Sequence, residues 1–436
     1  MKKVVSALLR IACSLAVLIG AIYALDHYLD VQIAKQYAKQ AYVVDRANGL
    51  PEKDKGNALL QEALSEKGML LLGSSELSSP VPQNPKNLFP NQFYPHPVQY
   101  VGHAGVQNAL HGMFLGANSD VAKKSDLVLV ESMQWYFPES SDAFMSNFSE
   151  LLFYEFLQND QISEDNKQYL CHRFMEMDQG RVHDVTEALT TKTAESAGGF
   201  VKGMLGKALQ KSHLRIMDGT SAFPQTHLLA KLYVAEDIGS KILRVTLSPY
   251  YQLRYTFLRL KDKFDVYQYL RKTSRQPSMD ANTIKAINWQ EIYSVAEKQG
   301  KAACTNNALY VDDEYYTKYL ADKYEAIQDI YSNYDLLNAS EWRDYRFMLS
   351  VCRDLGLKPY IVVMSTNGCY YDYAGIDKLK RNACFTQMED LAKKEGLDVL
   401  NLADQEYTPY FYCDGMHLGW KGWPYVSENL ALHFGQ

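Results

Sequence analysis

The chain has 436 residues, enough for one large domain or two ordinary ones, and its 45 Lys and Arg against 51 Asp and Glu leave a formal net charge of −6. With 47% apolar and 12% aromatic residues it can bury a substantial core, which excludes a disordered or collagen-like chain. Nucleic-acid binders draw most of their affinity from clustered Lys and Arg on phosphates, and a mildly acidic chain without a basic tract has no such means.

Residues 1–25 stand apart in character. After Lys2 and Lys3, the stretch Val4 to Leu25 is apolar except for Ser6, Arg10 and Ser14, and as a helix it spans roughly 33 Å at ~1.5 Å per residue, enough to cross a bilayer. Arg10 lies close enough to the basic end to snorkel, and the positive flank predicts a cytoplasmic N-terminus with everything after Asp26 outside. A cleaved signal peptide is the competing reading; Ile22-Tyr23-Ala24 is a poor small-residue cleavage site, so an uncleaved anchor over 1–25 is expected. Without Lys2, Lys3 and Arg10 the −6 of the whole chain becomes −9 for the exposed body.

Residues 26–68 are polar and helix-compatible and read as a stalk leading to a domain over 69–436. Met69-Leu70-Leu71-Leu72 is a short continuous apolar run that ends in Gly73-Ser74-Ser75-Glu76-Leu77, a buried strand breaking into a small-residue turn. Asp126–Val130, Tyr360–Met364 and Leu397–Leu402 read as three further strands. Helical patterns over His103–Leu115, Glu341–Leu355 and Lys378–Lys394 separate them, so the expected fold is α/β, a parallel sheet with helices on both faces. Between about 144 and 338 the pattern is helical, with apolar residues at three- and four-residue spacings over Ser146–Leu157, Glu164–Met177, Tyr250–Lys272 and Asp312–Asn333. This region is expected to be a large helical insertion, because the sheet resumes after it. Ala194–Leu209, with its glycines, reads as a loop over the site or a second membrane contact.

Of seven cysteines, Cys13 lies in the anchor and six in the body, where disulfides and buried thiols are both open. No Cys-x-x-Cys, His-Glu-x-x-His or Gly-x-x-x-x-Gly-Lys spacing occurs, which leaves zinc, redox and P-loop chemistry without a local signal.

Serine is a weak nucleophile until a base takes its proton, and it needs donors aimed at the developing oxyanion. Ser75, in a turn at the end of a buried strand, is placed for both. Asp414-Gly415-Met416-His417 sets a carboxylate three residues from an imidazole, a spacing at which Asp can hold the His that serves a Ser. Gly-Ser-Ser alone is ordinary turn chemistry; its pairing with this block at the opposite end of one α/β domain points to catalysis.

Gly73-Ser74-Ser75-Glu76-Leu77 resembles the nucleophile block of the SGNH hydrolase superfamily, and Asp414-Gly415-Met416-His417 is similar to its closing block. His103-Ala104-Gly105 resembles the second block, whose glycine amide joins the oxyanion hole. After the strand Asp126–Val130, Gln134 stands where the third block normally supplies Asn. Gln134-Trp135-Tyr136, the Gly-Ser-Ser-Glu-Leu nucleophile, Asn367-Gly368-Cys369-Tyr370-Tyr371-Asp372-Tyr373-Ala374-Gly375 and one N-terminal anchor together resemble the DltD family, whose members act outside the Gram-positive membrane in adding D-alanyl esters to teichoic acids.

That resemblance implies a serine acyltransferase with Ser75 as nucleophile, His417 as base and acid, Asp414 as its orienter, and an oxyanion hole from the Gly105 and Ser75 amides with the Gln134 side chain. Trp135, Asn367, Tyr370 and Tyr371 are the expected substrate-lining residues. No metal or organic cofactor is implied. The implied partners are a membrane-bound O-acyltransferase of the same pathway, the lipoteichoic acid acceptor, the cell membrane, and as a further candidate a D-alanyl carrier protein. An esterase or thioesterase using the same triad is the alternative enzyme, and a non-catalytic binding scaffold is the alternative of another class.

Overall fold

Among the residues described by the computed structural model (2–40, 53–65, 67–179, 221, 223–235, 237–272 and 284–435), five strands form one sheet. They are β1 (Met69–Leu72), β2 (Val98–Val101), β3 (Asp126–Ser132), β4 (Tyr360–Met364) and β5 (Val399–Asn401), in the order β2-β1-β3-β4-β5. Every pairing is parallel, with Met69 opposite both Val98 and Asp126 and Val128 opposite Tyr360. The unbroken apolar runs follow from burial on both faces. Leu70, Leu72, Leu127, Leu129, Ile361 and Val363 point into one core, and Met69, Leu71, Val128, Val130, Val362 and Met364 into the other.

Helices Asn108–Ala117, Glu341–Leu355 and Lys378–Lys394 fill the first core through side chains such as Phe114, Phe347 and Phe385, while Gly422–Phe434 fills the second through Trp423, Val426 and Leu430. The result is the expected three-layer α/β architecture. Burying each such side chain contributes about 1.5–3 kcal/mol. Gly356, at φ 68°, ends Glu341–Leu355 in the left-handed conformation that glycine adopts without a Cβ penalty and turns the chain into β4.

Three differences from the sequence reading have physical causes. Strand β2 was not foreseen: it is only four residues long, lies at the sheet edge, and carries Gln99 in a run that otherwise reads as a loop between Pro97 and Gly102. The helix expected over Asp312–Asn333 is broken into Asp313–Tyr315, a π turn at Tyr316–Leu320 and 3₁₀ turns at Ala321–Lys323 and Glu325–Ile327. Its later residues bond elsewhere, Asp329 N–H to the Tyr373 carbonyl at 3.0 Å and Tyr331 N–H to that of Ala374 at 2.8 Å. The N-terminal helix does not stop near Leu25 but runs Lys2–Gln40.

That helix is long and apolar enough to cross a membrane, with a candidate span at Ala12–Ala38. Past Asp26 it packs along helix Ile238–Lys272 instead of standing free. Asp26 accepts from Arg259 at 2.9 Å and Lys263 at 2.8 Å, and Lys263 also pairs with Asp30 at 2.7 Å. Ile33, Leu59, Ala63, Val266 and Leu270 form a small core beside these pairs. Asp262 binds the start of helix Asn57–Ala63, accepting from Gly56 N–H at 2.6 Å and Ala58 N–H at 2.8 Å. Between β3 and β4 lie helices Ser141–Asn147, Glu150–Gln158, 164–179, Pro224–Val234, Ile238–Lys272 and Trp289–Ala303. Residues 194–209 lie outside the described residues. All seven cysteines are free thiols, five of them buried (Cys171, Cys304, Cys352, Cys384 and Cys413).

Candidate active site

A parallel sheet offers a crevice at the carboxyl ends of its strands, where the chain leaves the sheet for the helices. β1 ends at Leu72 and passes through Gly73 into a 3₁₀ turn at Ser75–Ser78. The two serines in this turn have different environments. Ser74 is buried; its hydroxyl donates to the His103 carbonyl at 2.8 Å and accepts from Gly105 N–H at 3.1 Å. Ser75 Oγ instead stands 3.1 Å from His417 Nε2. The adjacent β2 exit comes very close to this turn: Gly102, at φ +153°, would place a Cβ 1.7 Å from the Gly73 carbonyl oxygen, so only glycine fits.

His417, the expected base, comes from a braced loop near the C-terminus. Cys413 N–H donates to the His417 carbonyl at 2.9 Å, and Tyr412 and Leu418 form an antiparallel bridge. Within the loop Asp414 Oδ1 accepts the backbone N–H groups of Met416 at 2.8 Å and His417 at 2.7 Å, leaving Oδ2 to meet His417 Nδ1 at 2.6 Å. The three-residue spacing is therefore what lets one carboxylate fix both the loop and the ring. Burial acts to lower the His417 pKa, but the hydrogen bond and charge of Asp414, with the charge of Glu76 adding, raise it above the ordinary imidazole value.

Glu76 is the residue whose role the sequence did not convey. It is 1% exposed, and its carboxylate accepts from Ser74 N–H at 2.8 Å and from the Trp135 indole N–H at 3.1 Å. It thus ties the Ser74-Ser75 turn to the Gln134-Trp135 segment after β3. Trp135 in turn stacks on His111, with ring centroids 5.6 Å apart; burial holds His111 down at about 3, hence neutral. Behind them Glu131 accepts from Asn108 at 2.8 Å and Tyr136 at 2.6 Å, and burial pushes it up to about 8 against those two hydrogen bonds. The one sequence signal for this network is the polar Glu131-Ser132 at the end of an otherwise apolar strand.

The remaining expected site residues are arranged as follows. The Gly105 amide donates to Ser74 Oγ at 3.1 Å, one residue before Ser75. Gln134 donates from Nε2 to the Tyr371 hydroxyl at 2.6 Å. Asn367 caps helix Gly368–Tyr373 by accepting from Tyr370 N–H at 3.1 Å, donates to the Leu309 carbonyl at 2.7 Å, and through its own backbone N–H holds the Gly415 carbonyl at 3.1 Å. Trp135, Asn367, Tyr370 and Tyr371 are all buried, so they belong to the packed wall behind these groups, and Asn367 braces the Asp414–His417 loop through Gly415. Lys421, four residues after His417, is ion-paired with Glu297.

A three-layer parallel sheet with serine on the turn after its first strand, and an Asp-x-x-His loop closing onto that serine, defines a chain of the SGNH-hydrolase-like class. The DltD protein family matches over residues 49–215 and 205–435, and the chain belongs to that family, which takes part in the D-alanylation of teichoic acids. It is 26% identical over 383 residues to Protein DltD of Bacillus subtilis (strain 168), covering 87% of this chain and 86% of that one. It is 21% identical over 419 residues to Protein DltD of Staphylococcus aureus (strain NCTC 8325 / PS 47), covering 95% and 93%. With Protein DltD of Lacticaseibacillus rhamnosus it shares 22% identity over 385 residues, covering 86% and 79%.

Proposed function

We propose that the chain is a membrane-anchored serine acyltransferase that passes a D-alanyl group to hydroxyls of lipoteichoic acid through an acyl-Ser75 intermediate. The observation that carries this reading is the run of contacts from Asp414 Oδ2 through His417 to Ser75 Oγ, at 2.6 and 3.1 Å. In the first half-reaction Ser75 Oγ attacks the D-alanyl carbonyl carbon while its proton passes to His417 Nε2; Asp414 holds the ring and stabilises the imidazolium. The tetrahedral intermediate collapses as the donor's leaving atom departs with that proton. In the second, the acceptor hydroxyl gives its proton to His417 and attacks the acyl carbon, and Ser75 leaves with the proton returned to it.

The Ser75 and Gly105 amides and the Gln134 side chain are the proposed oxyanion donors. Gly105 N–H lies on Ser74 Oγ and Gln134 on Tyr371, so each would share or exchange a partner as charge develops on the substrate oxygen. Tyr370, Tyr371, Trp135 and Asn367 act as positioning residues for these groups. The apolar N-terminal part of helix Lys2–Gln40, up to Leu25, anchors the protein with its N-terminus in the cytoplasm and the body outside. A membrane-bound O-acyltransferase would deliver the acyl group, directly or from a D-alanyl carrier protein. The test is covalent: a fluorophosphonate probe on the full chain, followed by peptide mapping, should label Ser75. Label on any other residue, or none at all, contradicts the assignment.

A further inference from the structure

Helix Ile238–Lys272 carries an unpartnered apolar face. Ile238, Ile242, Val245, Leu253 and Phe257 recur at spacings that put them on one side, together with Pro249; Ile238 is 77%, Val245 73% and Phe257 68% exposed. The opposite side is occupied, with Tyr251 buried against Tyr154 and Arg254 on Glu150 at 2.7 Å. Soluble proteins rarely leave such a stripe in water.

Three observations say what covers it. The first is direction. Asp26 pairs with Arg259, Asp26 and Asp30 with Lys263, and Ile33 packs with Val266 and Leu270, so residue numbers rise together along the two helices and they run parallel. Ile238 precedes Arg259 by about 20 residues, roughly 30 Å at ~1.5 Å per residue. The stripe therefore extends from the ion pairs back toward the membrane end of the anchor helix, not toward the open side of the body. The second is continuity: the face that contacts Lys2–Gln40 lies beside the stripe, and Leu15, Val17, Leu18 and Ile19 of that helix are themselves exposed. The third is charge. From Ile238 to Lys261 there is no acidic residue in an otherwise acidic chain. Arg244, Arg254, Arg259 and Lys261 are neutralised by Glu164, Glu150, Asp26 and Asp265, and the exposed Lys241 borders the stripe where its ammonium can reach a headgroup.

We infer that the Ile238–Phe257 stretch is a second membrane contact, a helix that enters the bilayer beside the anchor with its apolar face toward lipid and holds the body against the membrane. This rests on the reading of Lys2–Gln40 as an anchor. Its consequence is that the crevice is kept at a fixed height and tilt above the membrane, whereas one spanning helix alone would let the body swivel.

The test uses the full chain in vesicles of phosphatidylcholine and phosphatidylglycerol. On a Cys13→Ser, Cys369→Ser background, a fluorophore is attached at one of three introduced cysteines: Ile19→Cys in the anchor, Val245→Cys in the stripe, or Leu379→Cys on the outer helix. Lipids with a quencher near the headgroup should dim the position-245 probe severalfold, aqueous iodide should not, and the position-379 probe should behave in the opposite way. Quenching by lipid at 19 but not at 245 overturns the second membrane contact and leaves the anchor standing. Lack of lipid quenching at both positions overturns the anchor reading first. Shielding of 245 from iodide only in native membranes, and not in pure lipid vesicles, means that a protein covers the stripe and overturns the inference.

Discussion

Replacing Ser74 and Ser75 by alanine, one at a time, separates two roles held by neighbouring hydroxyls. Ser74 Oγ donates a hydrogen bond to the His103 carbonyl and accepts one from Gly105 N–H, both within a buried turn. Ser74→Ala leaves one donor and one acceptor without a partner, and at about 1–3 kcal/mol for each unsatisfied group the loss is about 2–4 kcal/mol, since water can reach part of the turn. The second-block loop then loosens, and a misplacement of ~1 Å typically slows a reaction by about 10². Ser75→Ala removes one hydrogen bond at the mouth of the crevice, about 0.5–1.5 kcal/mol, but it removes the proposed nucleophile, an expected loss on the order of 10⁶ in kcat. The assay is a thermal melt of each purified full-length variant, together with turnover of an activated D-alanyl ester. Ser74→Ala should melt several degrees lower and keep measurable turnover; Ser75→Ala should melt near the parent and have none. Turnover by Ser75→Ala with a dead Ser74→Ala would shift the nucleophile by one residue. An unchanged melting temperature for Ser74→Ala would refute the bonding role assigned to that hydroxyl.

Gln134→Ala should lower kcat by about 10²–10³, the usual loss for one oxyanion donor, with little change in melting temperature, and near-normal turnover would remove Gln134 from the mechanism. His417 must be neutral to accept the Ser75 proton, and its pKa is raised, so kcat/KM should fall as pH drops through a value above the ordinary imidazole range. Asp414→Asn takes away the hydrogen-bonded carboxylate that raises it, so turnover should fall and the acid limb should move to lower pH; a limb that stays in place assigns the titration to another group. Glu76→Gln should weaken either the Ser74 or the Trp135 bond, because an amide offers one acceptor where the carboxylate offers two, and it should lower both stability and kcat. Protease added to intact protoplasts should digest the body, and protection until lysis would contradict the outward orientation.

What the sequence reveals here is what repeats locally. The runs at Met69–Leu72, Asp126–Val130 and Tyr360–Met364 announce strands because both faces of the sheet are covered, so every side chain must be apolar. Ser75 and the Asp414–His417 pair are legible because each lies in a short block of distinctive chemistry, although 342 positions separate Ser75 from His417. The rest depends on contacts that no local pattern encodes. Glu76 follows Ser75 as an ordinary turn residue, and only the fold brings Trp135 to its second oxygen. Asn367 and Tyr371 read as groove residues, yet their polar atoms are engaged by Leu309, Tyr370 and Gln134 inside the wall. The docking of the N-terminal helix depends on Asp26 meeting Lys263 across 237 positions. The segment after Asp312 has helical spacing, but its backbone is drawn to Tyr373 and Ala374.

The central claim is transfer to a polymer hydroxyl, and how an acyl-serine is resolved tests it most directly. Water is present at ~55 M, so a transferase must exclude it or hold the acceptor at a far higher effective concentration; well-oriented intramolecular reactions reach ~10⁵–10⁸ M. The buried aromatic residues Trp135, Tyr370 and Tyr371 around the proposed triad are the available means of keeping water from the ester. The measurement is the fate of labelled D-alanine on the acylated full chain, with and without polyglycerol phosphate. Slow release alone, fast loss when polymer is added, and label recovered as polymer ester are the predicted results. Equal rates in both conditions, with all label recovered as free D-alanine, would contradict the transferase and make the protein a hydrolase.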